Sequence, residues 1–162
     1  MFASADFTSP TAVDFAGQRP RVLIVEARFY ADLADELAKG AEAAIASVGG
    51  IAERVAVPGA FELPGAIAMA DMAGAGYDGF VALGAVIRGE TTHYDYVCGE
   101  SARGLQDLAV RRGLAIGYGI LTVENMEQAW ARARRTEGDK GHGAAVAALA
   151  MIAFKRRLAS TP

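Results

Sequence analysis

The sequence predicts an α/β three-layer sandwich: a four-stranded parallel sheet in the order 2-1-3-4 with helices on both faces. Three observations carry this. Apolar runs of strand length recur four times along the chain, segments of helical periodicity fall between them, and glycines close those segments. Two of the runs are nearly continuous in apolar residues, as strands buried on both faces of a parallel sheet are. Right-handed crossovers then place the first and third strands side by side at the centre.

The strands are expected at Arg21 to Glu26 (RVLIVE), Ile51 to Val57 (IAERVAV), Gly79 to Ile87 (GFVALGAVI) and Leu114 to Leu121 (LAIGYGIL). Leu33, Leu37, Ala41, Ile45 and Val48 repeat every three or four residues and form the apolar stripe of the first helix, which Gly49-Gly50 closes. Gly74 and Gly76 close the second helix. Tyr94, Val97, Ser101, Leu105, Leu108 and Arg112 mark the third, with Gly113 at its end. Two more helices are expected at about Met126 to Arg135 and Gly143 to Leu158, separated by Glu137-Gly138-Asp139-Lys140-Gly141. The whole reads as one flavodoxin-like domain over residues 21–159. Residues 1–20, with Pro10 and several serines and threonines but no helical period, read as a flexible arm that orders against a partner.

Composition narrows the function. The 162 residues are 52% apolar and 22% charged, which excludes a mostly disordered chain and supplies more apolar material than a monomer of this size needs. About a third of the residues are alanine or glycine, so the packing is expected to be close. The apolar excess is assigned to surfaces buried between subunits, the helix face from Gly143 to Phe154 and the N-terminal arm among them. A net charge of -3 and the shortness of the basic stretch Arg132-Ala133-Arg134-Arg135 argue against a nucleic-acid partner. One cysteine, Cys98, excludes an internal disulfide, and with two histidines it cannot close a structural zinc site without carboxylates. A reducing cytoplasm follows as the expected compartment. Neither a secretory signal nor a membrane-spanning segment is recognisable.

Ligands of such sheets collect beyond the carboxyl ends of the strands. The segments to search are Ala27 to Tyr30, Val57 to Pro64, Ile87 to Asp95 and Thr122 to Asn125. The third is the most informative. Ile87-Arg88-Gly89-Glu90-Thr91-Thr92-His93 leaves a buried strand, offers a cation and two hydroxyls, and enters a helix whose first N–H groups lack backbone partners. Such an arrangement favours phosphate, although either threonine also suits an ordinary N-cap. His93 titrates near neutrality and fits proton transfer, or else a structural role. In Pro58-Gly59-Ala60-Phe61-Glu62-Leu63-Pro64, Glu62 is expected to begin a helix; a turn with a hydrophobic staple explains the same residues. Phe29-Tyr30 suits either helix packing or the stacking of a flat heterocycle. Arg132, far along its helix, reads as a surface residue.

Taken together, these residues resemble the lumazine synthase family. The resemblance is carried by Arg28-Phe29, by Pro58 to Pro64, by Gly84-Ala85-Val86-Ile87-Arg88-Gly89 with Thr91 to Val97, by Leu121-Thr122-Val123-Glu124-Asn125-Met126-Glu127-Gln128-Ala129, and by Lys140-Gly141. It covers about 21–158 and implies a transferase of riboflavin biosynthesis that condenses 5-amino-6-(D-ribitylamino)uracil with 3,4-dihydroxy-2-butanone 4-phosphate. No cofactor and no metal are implied.

The resemblance assigns Phe29 to the pyrimidine ring, and Ala60 and Glu62, with Phe61 between them, to the ribityl side. It places Val86 and Ile87 along the ring, Gly89, Glu90, Thr91 and Thr92 around the phosphate, Arg88 among the substrate-binding residues, and His93 in proton transfer. Tyr118, Arg132 and Lys140 would complete a neighbour's site, with Arg132 as counter-charge to the phosphate. A homo-pentamer or a sixty-subunit shell is implied, with riboflavin synthase as a further partner. Tyr30, Glu90 and Thr136 depart from the family pattern. The rival readings are a non-catalytic paralogue that forms shells or binds flavin, and a generic flavodoxin-type or receiver-type module. The rival modules need a hydroxyl-rich or acidic turn where this chain has Ala27-Arg28-Phe29.

Overall fold

The computed structural model describes residues 15–160. Most of the expected N-terminal arm, residues 1–14, lies outside them. Within them the chain runs β1 (Arg21–Ala27), α1 (Ala31–Ser47), β2 (Ile51–Val57), a 3-10 turn (Ala60–Glu62), α2 (Leu63–Met72), β3 (Gly79–Ile87), α3 (His93–Arg112), β4 (Ile116–Val123), α4 (Met126–Ala133) and α5 (Lys140–Ala159). The sheet is parallel throughout, in the order β2-β1-β3-β4. This is the expected topology.

Position in the sheet explains how each strand reads. In β1, Val22 to Ala27 are all buried, and in β3 the run Gly79 to Gly84 is, because both strands are central and covered on both sides. The edge strand β2 leaves Ile51 and Val55 exposed. Alternate residues of β1 divide between two cores. Val22 and Ile24 face α1, α4 and α5, where they meet Leu37, Ile45, Leu149 and Ile152. Leu23, Val25 and Ala27 face α2 and α3, with Leu63, Ile67, Val97 and Leu105.

The small residues set the closeness of the first core. A Cβ at Gly141 of α5 would press on the Leu37 carbonyl of α1, and one at Gly117 of β4 on the Ala144 carbonyl. Several boundaries differ from the sequence reading, and three have a clear local cause. β4 starts at Ile116 rather than Leu114, because the chain leaves α3 through Gly113 in the left-handed conformation (φ 63°) and is still turning at Leu114. α5 starts at Lys140 rather than Gly143, since Asp139 caps it by accepting a hydrogen bond from the His142 amide at 3.3 Å. α4 stops at Ala133 because Arg134 turns extended, with ψ 130°.

The apolar side of α5 lies mostly inside its own subunit: Ala144, Ala145, Val146, Ala148, Leu149 and Ile152 are buried there. That corrects its expected assignment to a neighbour. Residues 15–20, read as part of the arm, include the buried Phe15 and Pro20, and Arg156 of α5 lies over the Phe15 ring and donates to the Gln18 carbonyl at 2.6 Å. No helix among the described residues is long and apolar enough to cross a membrane.

Candidate active site

A cleft of about 540 Å³ opens at the carboxyl ends of β1 and β3, where the strand order reverses. Four segments build it. From the turn between β1 and α1 come Phe29 and Tyr30; from the turn after β2 come Gly59, Ala60, Phe61 and Glu62. Ala85, Val86 and Ile87 supply the end of β3, and His93, Tyr96 and Val97 the first turns of α3. The volume suits a drug-sized ligand, and the lining is mostly apolar with one carboxylate, Glu62, and one imidazole, His93.

Phe29 is 77% exposed, with Tyr30 set edge-on at 5.0 Å between ring centroids. A large ring this exposed at a cleft mouth offers its faces for stacking. Phe61, 58% exposed, stands on the 3-10 turn. That turn corrects the expectation that Glu62 begins a helix: Glu62 closes the 3-10 turn and occupies the N-cap position of α2, where Pro64 lies in the first turn. Gly59 is extended, and a Cβ there would approach the Glu62 carboxylate to 3.2 Å.

The loop before α3 presents anion-binding groups to solvent. Gly89 has open space where a Cβ would stand, and Thr92 occupies the N-cap position with no side-chain capping bond. The Thr91 hydroxyl oxygen accepts a hydrogen bond from the His93 amide at 3.3 Å. A helix start of this kind favours a bound anion. Glu90 is exposed beside it.

The Arg88 guanidinium donates to Glu124 at 2.8 Å, lies 3.6 Å from Asp95 and stacks 4.2 Å from the Tyr94 ring centre. It ties the ends of β3 and β4 to the start of α3, outside the cleft lining. Glu124 raises its already high pKa, chiefly through that hydrogen bond. Burial pushes the Cys98 thiol up, so it stays protonated near neutrality and is a poor nucleophile.

Seven residues singled out in the sequence, Phe29, Ala60, Phe61, Glu62, Val86, Ile87 and His93, therefore share one cleft. Tyr118, Arg132 and Lys140 do not line it. Tyr118 of β4 lies in a separate depression beside Leu105 and Ala109 of α3, and burial raises its phenol pKa. Arg132 donates to the Gln128 carbonyl of its own helix at 3.0 Å, and Lys140 is the exposed first residue of α5. The cleft also takes in Tyr30, which the sequence offered for stacking beside Phe29, and Gly59, Ala85, Tyr96 and Val97, to which it gave no role there. Tyr96 and Val97 follow His93 by three and four residues and so share its helix face, a spacing that could have found them.

An aromatic ring, an apolar slot and an open helix N-terminus surround one switch-point cleft, which marks the class as an α/β domain with a ligand-sized cleft at the carboxyl ends of its strands. The profile of the 6,7-dimethyl-8-ribityllumazine synthase family matches residues 19–156. The 6,7-dimethyl-8-ribityllumazine synthase 1 of Rhizobium meliloti (strain 1021) is 64% identical over 141 residues, 85% of this chain and 92% of the relative. The 6,7-dimethyl-8-ribityllumazine synthase of Agrobacterium fabrum (strain C58) is 59% identical over 144 residues, 86% of this chain and 97% of its own length. That of Methylorubrum populi is 61% identical over 140 residues, 84% of this chain and 83% of its own. The chain belongs to the 6,7-dimethyl-8-ribityllumazine synthase family, a family of riboflavin-biosynthesis transferases, as the resemblance drawn from its sequence implied.

Proposed function

We propose that this domain condenses 5-amino-6-(D-ribitylamino)uracil with 3,4-dihydroxy-2-butanone 4-phosphate to give the lumazine, phosphate and water. The observation that carries the reading is the exposed Phe29 ring over an apolar cleft whose far wall ends at His93 and the open start of α3. Phe29 stacks on the pyrimidine, Ala60 and Glu62 hold the ribityl chain, and the ends of Val86 and Ile87 run along the ring. Gly89, Thr91 and Thr92 receive the phosphate with the first N–H groups of α3.

The amine adds to the ketone and loses water to form an imine; phosphate then leaves, the enol tautomerises, and the ribityl-bearing nitrogen closes the ring with loss of a second water. Holding two reactants in register contributes most of the acceleration, and a stabilised leaving phosphate contributes more. His93 moves protons at the cleft wall. Tyr118, Arg132 and Lys140 act in a neighbour's site, which accounts for their lying outside the cleft of their own chain. A homo-pentamer in the cytoplasm, alone or assembled into a sixty-subunit shell, supplies that neighbour. Residues 21–159 form the catalytic domain, with residues 1–20 as its arm, and riboflavin synthase consumes the product.

The test is the appearance of fluorescent lumazine from the two substrates. Absence of product at saturating concentrations of both rejects the assignment in favour of a non-catalytic paralogue. Sedimentation velocity separates pentamer from shell.

A further inference from the structure

Glu26, the penultimate residue of β1, is the buried carboxylate among the described residues, its side chain 5% accessible. It points to the α1 side of the sheet, and two guanidiniums close on it. Arg28 donates from Nη1 at 2.9 Å, and Arg54 of the adjacent edge strand donates from Nη2 at 2.8 Å and from Nε at 3.2 Å. Asp35 of α1 accepts from Arg28 at 2.8 Å and lies 3.5 Å from Arg54, and Glu42 lies 3.7 Å from Arg54. Stability alone does not explain such a cluster, because well-packed apolar residues commonly do as well in its place.

The two arginines differ in what they hold. Arg54 joins β2 to β1 and α1, all regular elements already locked by backbone hydrogen bonds. Arg28 lies outside β1, in the short turn that carries Phe29, and anchors that turn at both ends: to the strand through Glu26 and to the helix through Asp35. The Phe29 ring is mostly in solvent with Tyr30 against it, so its position is inherited from the backbone of the turn.

We propose that Arg28 is a positioning residue: clamped between Glu26 and Asp35, it fixes the β1–α1 turn so that Phe29 stands as a pre-set platform for the planar substrate. This rests on the substrate assignment above. The Arg28 hydrogen bond is the largest cause holding the Asp35 carboxyl below its ordinary range, so the clamp remains ionised near neutrality. Both guanidiniums belong to the same cluster, yet Arg28 alone reaches the turn.

The experiment compares Arg28→Met, Arg28→Lys, Asp35→Asn and Arg54→Met in the full chain. KM is measured for each substrate separately, with product binding by lumazine fluorescence and melting temperature alongside. In Arg28→Met, Glu26 keeps Arg54 and is not orphaned. Its KM for the pyrimidine is expected to rise about tenfold, with that for the butanone phosphate within about twofold, a split that general loosening would not produce. Lumazine affinity falls in parallel. Arg28→Lys recovers most of the loss, and Asp35→Asn, which removes one anchor from a half-buried position, shows a smaller rise for the same substrate. Arg54→Met lowers the melting temperature and leaves both KM values unchanged.

A normal pyrimidine KM in Arg28→Met overturns the inference, as does an equal rise for both substrates or a matching rise in Arg54→Met. Should Arg28→Met fail to fold, Asp35→Asn and Arg28→Lys decide by the same substrate split. Wild-type protein that neither forms nor binds lumazine rejects the substrate assignment itself, whereas wild-type turnover with unaltered Arg28 variants rejects only the positioning role.

Discussion

The face of the sheet under α1, α4 and α5 buries twice as many residues as the face under α2 and α3. On the first, alanines and glycines bring α5 onto α1 and β4 with backbone nearly touching backbone. The second carries the cleft, the depression at Tyr118, and the exposed side chains Met69, Met72, Tyr96 and Val110. Apolar burial is concentrated on one face, while the other carries the cleft. Substitutions on the cleft side are therefore expected to cost less stability than those behind it.

The sharpest challenge to that contrast is a pair of glycines two residues apart on α5. Gly141→Ala forces a methyl group onto the Leu37 carbonyl and is expected to cost about 3 kcal/mol or more. Gly143→Ala enters open space and is expected to stabilise by about 0.5–1 kcal/mol, the usual gain in a helix. Denaturant unfolding of both variants checks this; equal stabilities would dissolve the distinction. Next in size, Leu149→Ala empties a fully buried site and is expected to cost about 2–5 kcal/mol, whereas Met72→Ala, 78% exposed in the structure, should stay within about 0.5 kcal/mol.

On the open face, His93→Ala should lower turnover by about tenfold to a hundredfold with an unchanged melting temperature. A fall in stability matching the fall in rate would make His93 structural. Arg132→Ala is expected chiefly to raise the KM for the phosphate substrate, and an unchanged KM removes its role as counter-charge.

The smallest effect is ionic. Glu53 accepts hydrogen bonds from Tyr77 at 2.7 Å and Arg21 at 2.9 Å, which hold its carboxyl below the ordinary 4.5. A depressed carboxylate stabilises the fold fully above its unfolded value and loses that contribution as pH falls through the folded one. Glu53→Gln should therefore flatten the fall of stability below about pH 4.5, measured by unfolding at stepped pH.

The order of the sheet was legible because β1 and β3 are buried on both sides and write that burial as unbroken apolar runs. The start of β4 was not: Leu114 and Ala115 are as apolar as the strand that follows, and only the left-handed turn at Gly113 separates them. Phe29, Glu62 and His93 could be found from strand ends alone, since topology brings those ends together. An arginine in a glycine- and threonine-rich loop reads as an anion ligand, and the pairing of Arg88 with Glu124, 36 residues away, leaves no local trace in the sequence. Arg132 and Lys140 carry no local signal of function; they emerge from family resemblance, because their proposed work belongs to another subunit.

Gly104 of α3 faces Pro64 of α2, and a Cβ there would approach the proline ring to 2.8 Å. Pro64 follows Glu62 by two residues, and His93 opens the helix to which Gly104 belongs. The two helices thus meet below the cleft with no room for a side chain between them, so a methyl group added at Gly104 would push apart the elements that carry Glu62 and His93.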